Sequence, residues 1–388
     1  MYKMTKIKSF IVFTLILIII SASLFIGWYT GYNRLALTAN RSNSINLSDI
    51  SFVYDLINKN YIEKIPPQIL DQTIAGMVSA LNDPYSYYLS PQGYRQLRQQ
   101  DQGQYVGLGF FYSYTQKDLK IIEVFPDTPA REAGLKIGDF ILTLDQIPLS
   151  GFKNEIEVKN KLRGENDTSI TLTVNRSQKI LNFNLKRRPI QIPTLTYKSL
   201  SNGIGILKVY HFNPDLKAEF MKIAPQITLD QTKKLIIDLR NNGGGIVGMD
   251  TFLADQFVSS GILNQEIYKD TSLSRSIRAS GNAQYQDLKL ILLVNHETAS
   301  AAEIFTAAIH DNNRGQIIGE TTYGKGVFTS IYELPDGSAI QLTTGHWLTP
   351  KGVSIDKIGI KPDLELKDEI INAQDIIYNK AVETLKTD

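Results

Sequence analysis

The 388-residue chain has no cysteine, only four histidines and almost no net charge, 41 basic residues against 39 acidic ones leaving +2. Without cysteine there is no disulfide frame, no thiol nucleophile and no thiolate metal site. The histidines His211, His296, His310 and His346 show no metal-ligand spacing, so the sequence implies no metal and no other cofactor. Balanced charge, with no basic block interleaved with aromatics, argues against nucleic acid as a partner. Long uncharged apolar runs are also scarce, and the one that reaches membrane-spanning length stands at the N-terminus.

That run, Phe10 to Trp28, follows Lys3, Lys6 and Lys8 with no acidic residue among them. As a helix it reaches about 28 Å, close to the ~30 Å of a bilayer core. Trp28, Tyr29 and Tyr32 supply an interfacial belt, and the lysines place the N-terminus inside the cell with the remainder extracytoplasmic, in a cell envelope of bacterial type. Residues 1–30 are either a signal peptide or an uncleaved anchor; Ser21-Ala22-Ser23 lies inside the run rather than after it, which favours the anchor. Residues 31–47 form a polar tether. From Ser48, a candidate N-cap, Ile50, Val53, Ile57 and Tyr61 recur at helical spacing, and a second helix over residues 69 to 81 stops at Asn82-Asp83-Pro84. These helices define an N-terminal region, 48–100.

From Tyr105 the period becomes that of strands, with short helices expected over 128–133 and 154–162 and closing strands over 169–175 and 180–185. Pro189 and Pro193 bracket a stiff linker. Beyond it strands and helices alternate, which implies right-handed crossovers and a largely parallel sheet. Residues 270–284, polar and serine-rich, read as a mobile loop or lid. Asp336-Gly337 marks a β-hairpin. A final helix over 369–385 has an apolar face at Ile370, Ile371, Ile376, Ile377, Ala381 and Leu385, suited to its own core or to a second subunit in a homodimer.

Three loops follow buried-type strands in this alternating region. Leu290 to Val294 turns at His296-Glu297-Thr298 and enters a helix, placing Ser300 in its first turn. The strand at 316–318 leads to Gly324-Lys325-Gly326. Lys234 to Leu239 runs into Arg240-Asn241-Asn242-Gly243-Gly244-Gly245. Such loops gather at the carboxyl edge of a parallel sheet, where α/β folds bind ligands. A serine hydroxyl becomes a nucleophile when a base takes its proton, and a lysine can do so only when neutral. For Lys325 that means lowering a pKa of about 10.4 by about 3, roughly 4 kcal/mol of desolvation or like-charge repulsion. The glycine run frees backbone N–H groups for one half of an oxyanion hole, and the Ala301 N–H is the natural other half.

Taken together, DLRNNGGG, VNHETASAAEIFTAAIHD and GETTYGKG resemble the carboxyl-terminal processing, or tail-specific, serine proteases. The resemblance implies Ser300 as nucleophile, Lys325 as base, and Gly244 with Ala301 as oxyanion donors. That family carries a glutamine four positions after the lysine; here Thr329 stands there, with a hydroxyl able to accept from the amine but a shorter reach. The segment from Leu81 to Leu89 is similar to the family's proline turn. Gly107-Leu108-Gly109-Phe110, with PDTPAREAGLKIGDFILTLD, resembles a PDZ domain, spanning 101–188. Its glycines would turn backbone N–H groups onto a terminal carboxylate while the peptide adds as a strand. Leu108, Gly109, Phe110, Val158 and Leu162 would then form the peptide-binding site. Arg163, just past the second PDZ helix, is a candidate regulatory residue able to pair with a carboxylate of the core, residues 189–388.

The expected fold is therefore an α/β protease core, mainly a parallel sheet with crossover helices plus a β-hairpin, with an inserted PDZ domain and an N-terminal helical segment after a membrane anchor. The expected activity is a membrane-anchored Ser–Lys endopeptidase acting on unfolded or flexible proteins with exposed C-termini. The alternative is a membrane-tethered PDZ adaptor without turnover, for which Thr329 is the support. Gly243-x-Gly245-x-x-Gly248 mimics a dinucleotide fingerprint, but polar residues separate it from its strand. Gly319-x-x-x-x-Gly324-Lys325 mimics a phosphate loop, but Gly326 replaces the magnesium-binding hydroxyl. Asp238 reads as a partner of Arg240, and Glu303 as a helix-face or loop anchor.

Overall fold

A computed structural model describes residues 47–101, 104–114, 118–368, 370–371 and 374–387. The expected anchor, 1–30, and all but the last residue of the tether lie outside the described residues. Among the described residues no helix is long and apolar enough to cross a membrane. The chain divides into two units at Leu70. In the first, Ser48–Asn60 is a helix with no buried residue, and Ile50, Phe52, Val53, Tyr54 and Leu56 are exposed.

The second unit, from Asp71 onward, is built on a six-stranded sheet. Its order is Leu195–Ser199, Ile204–Val209, Lys234–Asp238, Lys289–Val294, Gly315–Gly319 and Leu364–Glu365. The last five run parallel. Continuous apolar runs at 235–237 and 290–294 suit a sheet covered on both faces. Leu235, Ile237, Leu290, Leu292 and Val294 turn to one side, where Phe220, Phe257, Phe305 and Trp347 fill the main core. Ile236, Ile291 and Leu293 turn to the other, against Ile377, Ala381 and Leu385 of the C-terminal helix.

Three expectations need correction. The architecture is mixed: among the described residues the parallel strand pairs all belong to this one sheet. Its edge strand Leu195–Ser199 is antiparallel to Ile204–Val209 because only a short turn joins them, too short for a crossover. The final helix spans Ile376–Thr387, and Ile370–Ile371 instead pairs with Gln374–Asp375. The helix starts where Asp375 can accept the Tyr378 N–H at 3.0 Å, an N-terminal cap. Its buried face packs on this chain's own sheet, one of the two alternatives expected for it. The supposed lid contains the strand Arg275–Arg278, paired with Ile262–Tyr268 and tied to it by Arg275 Nε on Glu266 at 2.7 Å. Polar composition indicated a loop because the side chains lie at a solvent-facing sheet edge.

Ile262–Tyr268 and Arg275–Arg278 belong to a second, five-stranded antiparallel sheet with Tyr87–Leu89, Val327–Glu333 and Ala339–Leu348. The last two form the hairpin at Asp336-Gly337, where Gly337 has φ 83°. The region before the protease core is a six-stranded antiparallel domain with its own core around Leu119, Ile121, Leu144, Val158 and Leu172. The chain enters and leaves it through paired strands, Gln104–Gly107 and Arg188–Gln191. Glu123 fixes it to the core, accepting from Lys208 Nζ at 2.6 Å and Tyr210 Oη at 2.8 Å.

Candidate active site

Ser300 lies at the helix N-cap, one step before the first turn, of Ala301–Asp311, with φ 56° and ψ −121°. A non-glycine residue in that region costs about 1–3 kcal/mol and persists only where its surroundings impose it. Here they do. Leaving the Lys289–Val294 strand, the chain reverses through Asn295 and Thr298, whose hydroxyl donates to Leu239 O at 2.9 Å and accepts from Asn295 N–H at 3.0 Å. Ala299 N–H donates to Asn242 O at 3.0 Å.

The main support is Glu303, which has no exposed surface. Its Oε2 accepts the Ser300 N–H at 2.8 Å and the Lys325 N–H at 2.9 Å. Its Oε1 accepts the Gly324 N–H at 2.7 Å and the Thr322 hydroxyl at 2.6 Å. The Ser300 loop and the Lys325 loop thus meet on one carboxylate. Four donors and no acceptor match the ionised form; burial raises its pKa, and the bonds from Thr322, Gly324, Lys325 and Ser300 oppose that rise. Glu303 is a loop anchor, as its position suggested, but the loops it joins carry the two proposed reactive groups.

The glycine loop reaches the same point. Gly244, at φ 95°, lies so close that a Cβ there would stand 2.8 Å from Ser300 Cβ and 2.9 Å from Ala301 N. Gly244 and Ala301 are therefore brought together. The Gly244 N–H, however, donates to Asn242 Oδ1 at 2.9 Å. Phe212 N–H donates to Gly244 O at 2.9 Å, and Asn242 Nδ2 to Val209 O at 2.8 Å, so the loop is held on both sides. Below it Arg240 is clamped between Asp238, Asp368 and Asp375. The Asp238 pairing agrees with the sequence; the two C-terminal aspartates, more than a hundred residues away, were not foreseeable.

Burial lowers the Lys325 pKa below its ordinary 10.5, while the charges of Glu303 and Asp83 push it back up. Lys325 Nζ lies 5.3 Å from the centre of the Tyr85 ring, and Trp347 Nε1 donates to Lys325 O at 2.9 Å. Among the described residues no hydrogen bond joins Ser300 Oγ to Lys325 Nζ; catalytic bonds of this kind are commonly loose before substrate arrives and tighten in the complex. Thr329 does not bond to the lysine either. It pairs across the hairpin with Thr343, beside a bulge at Phe328–Thr329. Its expected part in orienting the amine is therefore not seen. The sequence did not connect Asp83 and Tyr85 with Lys325: their Asn-Asp-Pro-Tyr turn signalled a helix end and a likeness to the family's proline turn. His296, the histidine nearest Ser300 in sequence, is exposed against the Tyr323 ring.

A cleft of about 450 Å³ separates the PDZ-like domain from the core loops. Leu108, Gly109, Phe110, Leu162 and Arg163 line one wall, and Asn241, Asn295, His296, Glu297, Glu320 and Asp368 the other. Val158 is fully buried inside the domain and is not part of the wall, because its helix turns that face to the core. Arg163 stacks over Tyr105 at 5.4 Å. Among the described residues no carboxylate is within ion-pairing distance of it, so the expected bridge to the core is not formed.

The chain matches the model of peptidase family S41 over residues 203–366, that of the activating protease CtpB N-terminal domain over 32–92, and that of a PDZ domain over 120–176. It is 31% identical over 367 residues to a probable CtpA-like serine protease of Staphylococcus aureus strain MRSA252, covering 93% of this chain and 73% of that protein. A protein of the same description from Staphylococcus epidermidis is 31% identical over 84% of this chain and 67% of its own length. Among solved structures, the photosystem II D1 C-terminal processing protease superposes with a TM-score of 0.58 at 29% identity, covering 83% of this chain and 88% of that one. A putative S41 protease from Bacteroides fragilis shares the fold at 17% identity, with a TM-score of 0.59 over 84% and 91% of the two chains. The chain belongs to peptidase family S41, with a PDZ domain ahead of its peptidase core.

Proposed function

We propose that this protein is a membrane-anchored serine endopeptidase that captures flexible protein C-termini on its PDZ domain and cleaves them with a Ser300–Lys325 pair. The observation that carries the pair is the shared carboxylate: Ser300 N–H and Lys325 N–H both end on Glu303 Oε2, at 2.8 and 2.9 Å. A strained N-cap serine and a desolvated lysine have no evident structural reason to be stapled together. Ser300 Oγ attacks the peptide carbonyl and Lys325 Nζ takes its proton, then gives it to the departing amine. Water repeats the sequence on the acyl-enzyme. The oxyanion falls to the Ala301 N–H and to the Gly244 N–H, which exchanges Asn242 Oδ1 for the substrate oxygen. The tail occupies the cleft walled by Leu108, Gly109, Phe110 and Leu162, and the run at 10–28 holds the protein at the envelope membrane with these domains outside the cytoplasm.

The test is cleavage of an unfolded protein with an apolar C-terminus by the full chain, beside Ser300→Ala and Lys325→Ala. Loss of cleavage in both, with tail binding retained, is expected. Activity should also rise with pH as Lys325 loses its proton, since only the neutral amine accepts one; a flat profile from about pH 6 to 10 would remove the lysine from the mechanism. Binding without turnover by the parent chain would support the adaptor, which the missing Thr329–Lys325 bond favours.

A further inference from the structure

Lys325 takes up a proton in the proposed reaction and becomes an ammonium ion in a largely desolvated place, so something must face that charge. The charges of Glu303 and Asp83 favour the ammonium, but the oxygens of the nearby carboxylates are bonded to other donors. Glu303 points both oxygens at the donors already described. Asp356 accepts the Gly326 N–H at 3.2 Å. Asp83 accepts the Tyr85 N–H at 3.1 Å and the Ser86 hydroxyl at 2.5 Å. The group that presents a face to Nζ is Tyr85, whose ring centre is 5.3 Å away. An aromatic face carries negative potential and attracts an ammonium within about 6 Å, more strongly where water is excluded.

The ring is held there by construction of the turn. Asp83 closes Asp83-Pro84-Tyr85-Ser86 on itself, Ser86 Oγ accepts the Thr343 N–H at 2.9 Å, and Gln341 Nε2 donates to Tyr85 O at 3.1 Å. The turn is thereby docked on the strand paired with the one that follows Lys325, and Thr343 stands directly opposite Thr329. A segment more than two hundred residues before the base is fixed against it by hydrogen bonds at both ends of Tyr85.

We propose that Tyr85 is a positioning residue of the proteolytic reaction: its ring face seats the ammonium form of Lys325 that appears when the Ser300 proton is transferred. The proposal rests on the Ser300–Lys325 reading. It has a consequence that simple structural support does not. The seat stabilises the ammonium in the resting protonated enzyme and in the transition state alike. Weakening it therefore makes Lys325 easier to deprotonate while making the deprotonated enzyme slower. The other titratable groups around the amine and the turn are Glu303, Asp83, Tyr323, Asp356 and Lys357; the Tyr85 hydroxyl bonds to Tyr323, a contact that every phenylalanine form lacks alike, so the fluorinated series is read against Tyr85→Phe.

The experiment is the pH profile of kcat/KM for the full chain carrying Tyr85→Phe, fluorinated phenylalanines of increasing fluorine content at position 85, and Tyr85→Leu. Fluorination keeps the ring's shape while draining its negative face, so folding is preserved across the series. The expected result is an acid limb that moves to lower pH with fluorine content, by about one pH unit in the trifluoro and leucine forms. The high-pH plateau should fall about tenfold in parallel, with rates on the acid side unchanged. A limb that stays in place across the fluorinated series overturns the proposal, as does Tyr85→Phe losing as much as Tyr85→Leu. Lys325→Ala is run alongside. If that variant still cleaves, the Ser–Lys reading falls and the seat with it; if it is inactive and the fluorinated series is flat, only the seat falls.

Discussion

Replacing Glu303 by glutamine tests how much of the site depends on one carboxylate. The side chain keeps its size and loses one acceptor oxygen, so its amide must face two of the four donors. Turned toward Ser300 and Lys325, the amide would oppose two backbone N–H groups with no alternative acceptor. Turned toward Thr322 and Gly324, it would oppose one; the Thr322 hydroxyl, which already accepts the Ile360 N–H at 2.7 Å, can accept from the amide with its second lone pair and gives up the acceptor of its own proton. The second orientation wins, and it leaves Gly324 N–H buried and unsatisfied at a cost of about 1–3 kcal/mol. Ser300 and Lys325 keep their acceptor, so Glu303→Gln should fold with a lowered Tm and retain cleavage. Removing the charge also removes the first of the two charges that hold the Lys325 pKa up, so the acid limb of activity should shift to lower pH. Glu303→Ala strips all four bonds and releases the strained Ser300 backbone; cleavage should fall by ~100-fold or more, the scale seen when transition-state donors are lost. Thermal unfolding and a fluorogenic peptide assay across pH decide the matter. A glutamine variant with unchanged Tm and limb, or an alanine variant that is folded and fully active, would refute this account of the site.

Two further outcomes follow from single residues. Gly244→Ala should fold poorly around the loop or lose cleavage while keeping tail binding, because the added Cβ would meet Ala299 O at 2.6 Å and Ser300 Cβ at 2.8 Å in a φ of 95°; an active alanine variant would show that the loop moves freely. Asp250 is buried, accepts Gly248 N–H at 2.7 Å with Oδ1, and has no partner for Oδ2 among the described residues. Burial pushes its pKa from 3.8 up to about 7. Above pH 7 the folded chain carries an ill-solvated charge, a penalty on the order of 4 kcal/mol that is absent below about pH 4 and grows between these limits. Asp250→Asn should accordingly raise Tm at pH 8 and leave it unchanged near pH 4; an equal effect at both would exclude the ionisation.

Ser300, Lys325 and the glycine run could be read from the chain because each follows a buried strand, and apolar runs that end in glycine or a turn are local signals. The sheet itself was legible for the same reason: Leu235 to Ile237 and Leu290 to Val294 are apolar on alternating faces and have nowhere to go but an interior. The antiparallel edge, the strand hidden in 275–278 and the start of the last helix escaped, since strand pairing there depends on partners distant in sequence rather than on composition. What the sequence determined alone is which residue types stand at the ends of the central strands. Only the tertiary structure decided that Glu303 would join the Ser300 loop to the Lys325 loop and that Tyr85 would lie over Lys325. Hydrogen bonds and ring contacts between loops depend on how strands are ordered across a sheet, and that order is set by the packing of the whole core, not by any window of the chain.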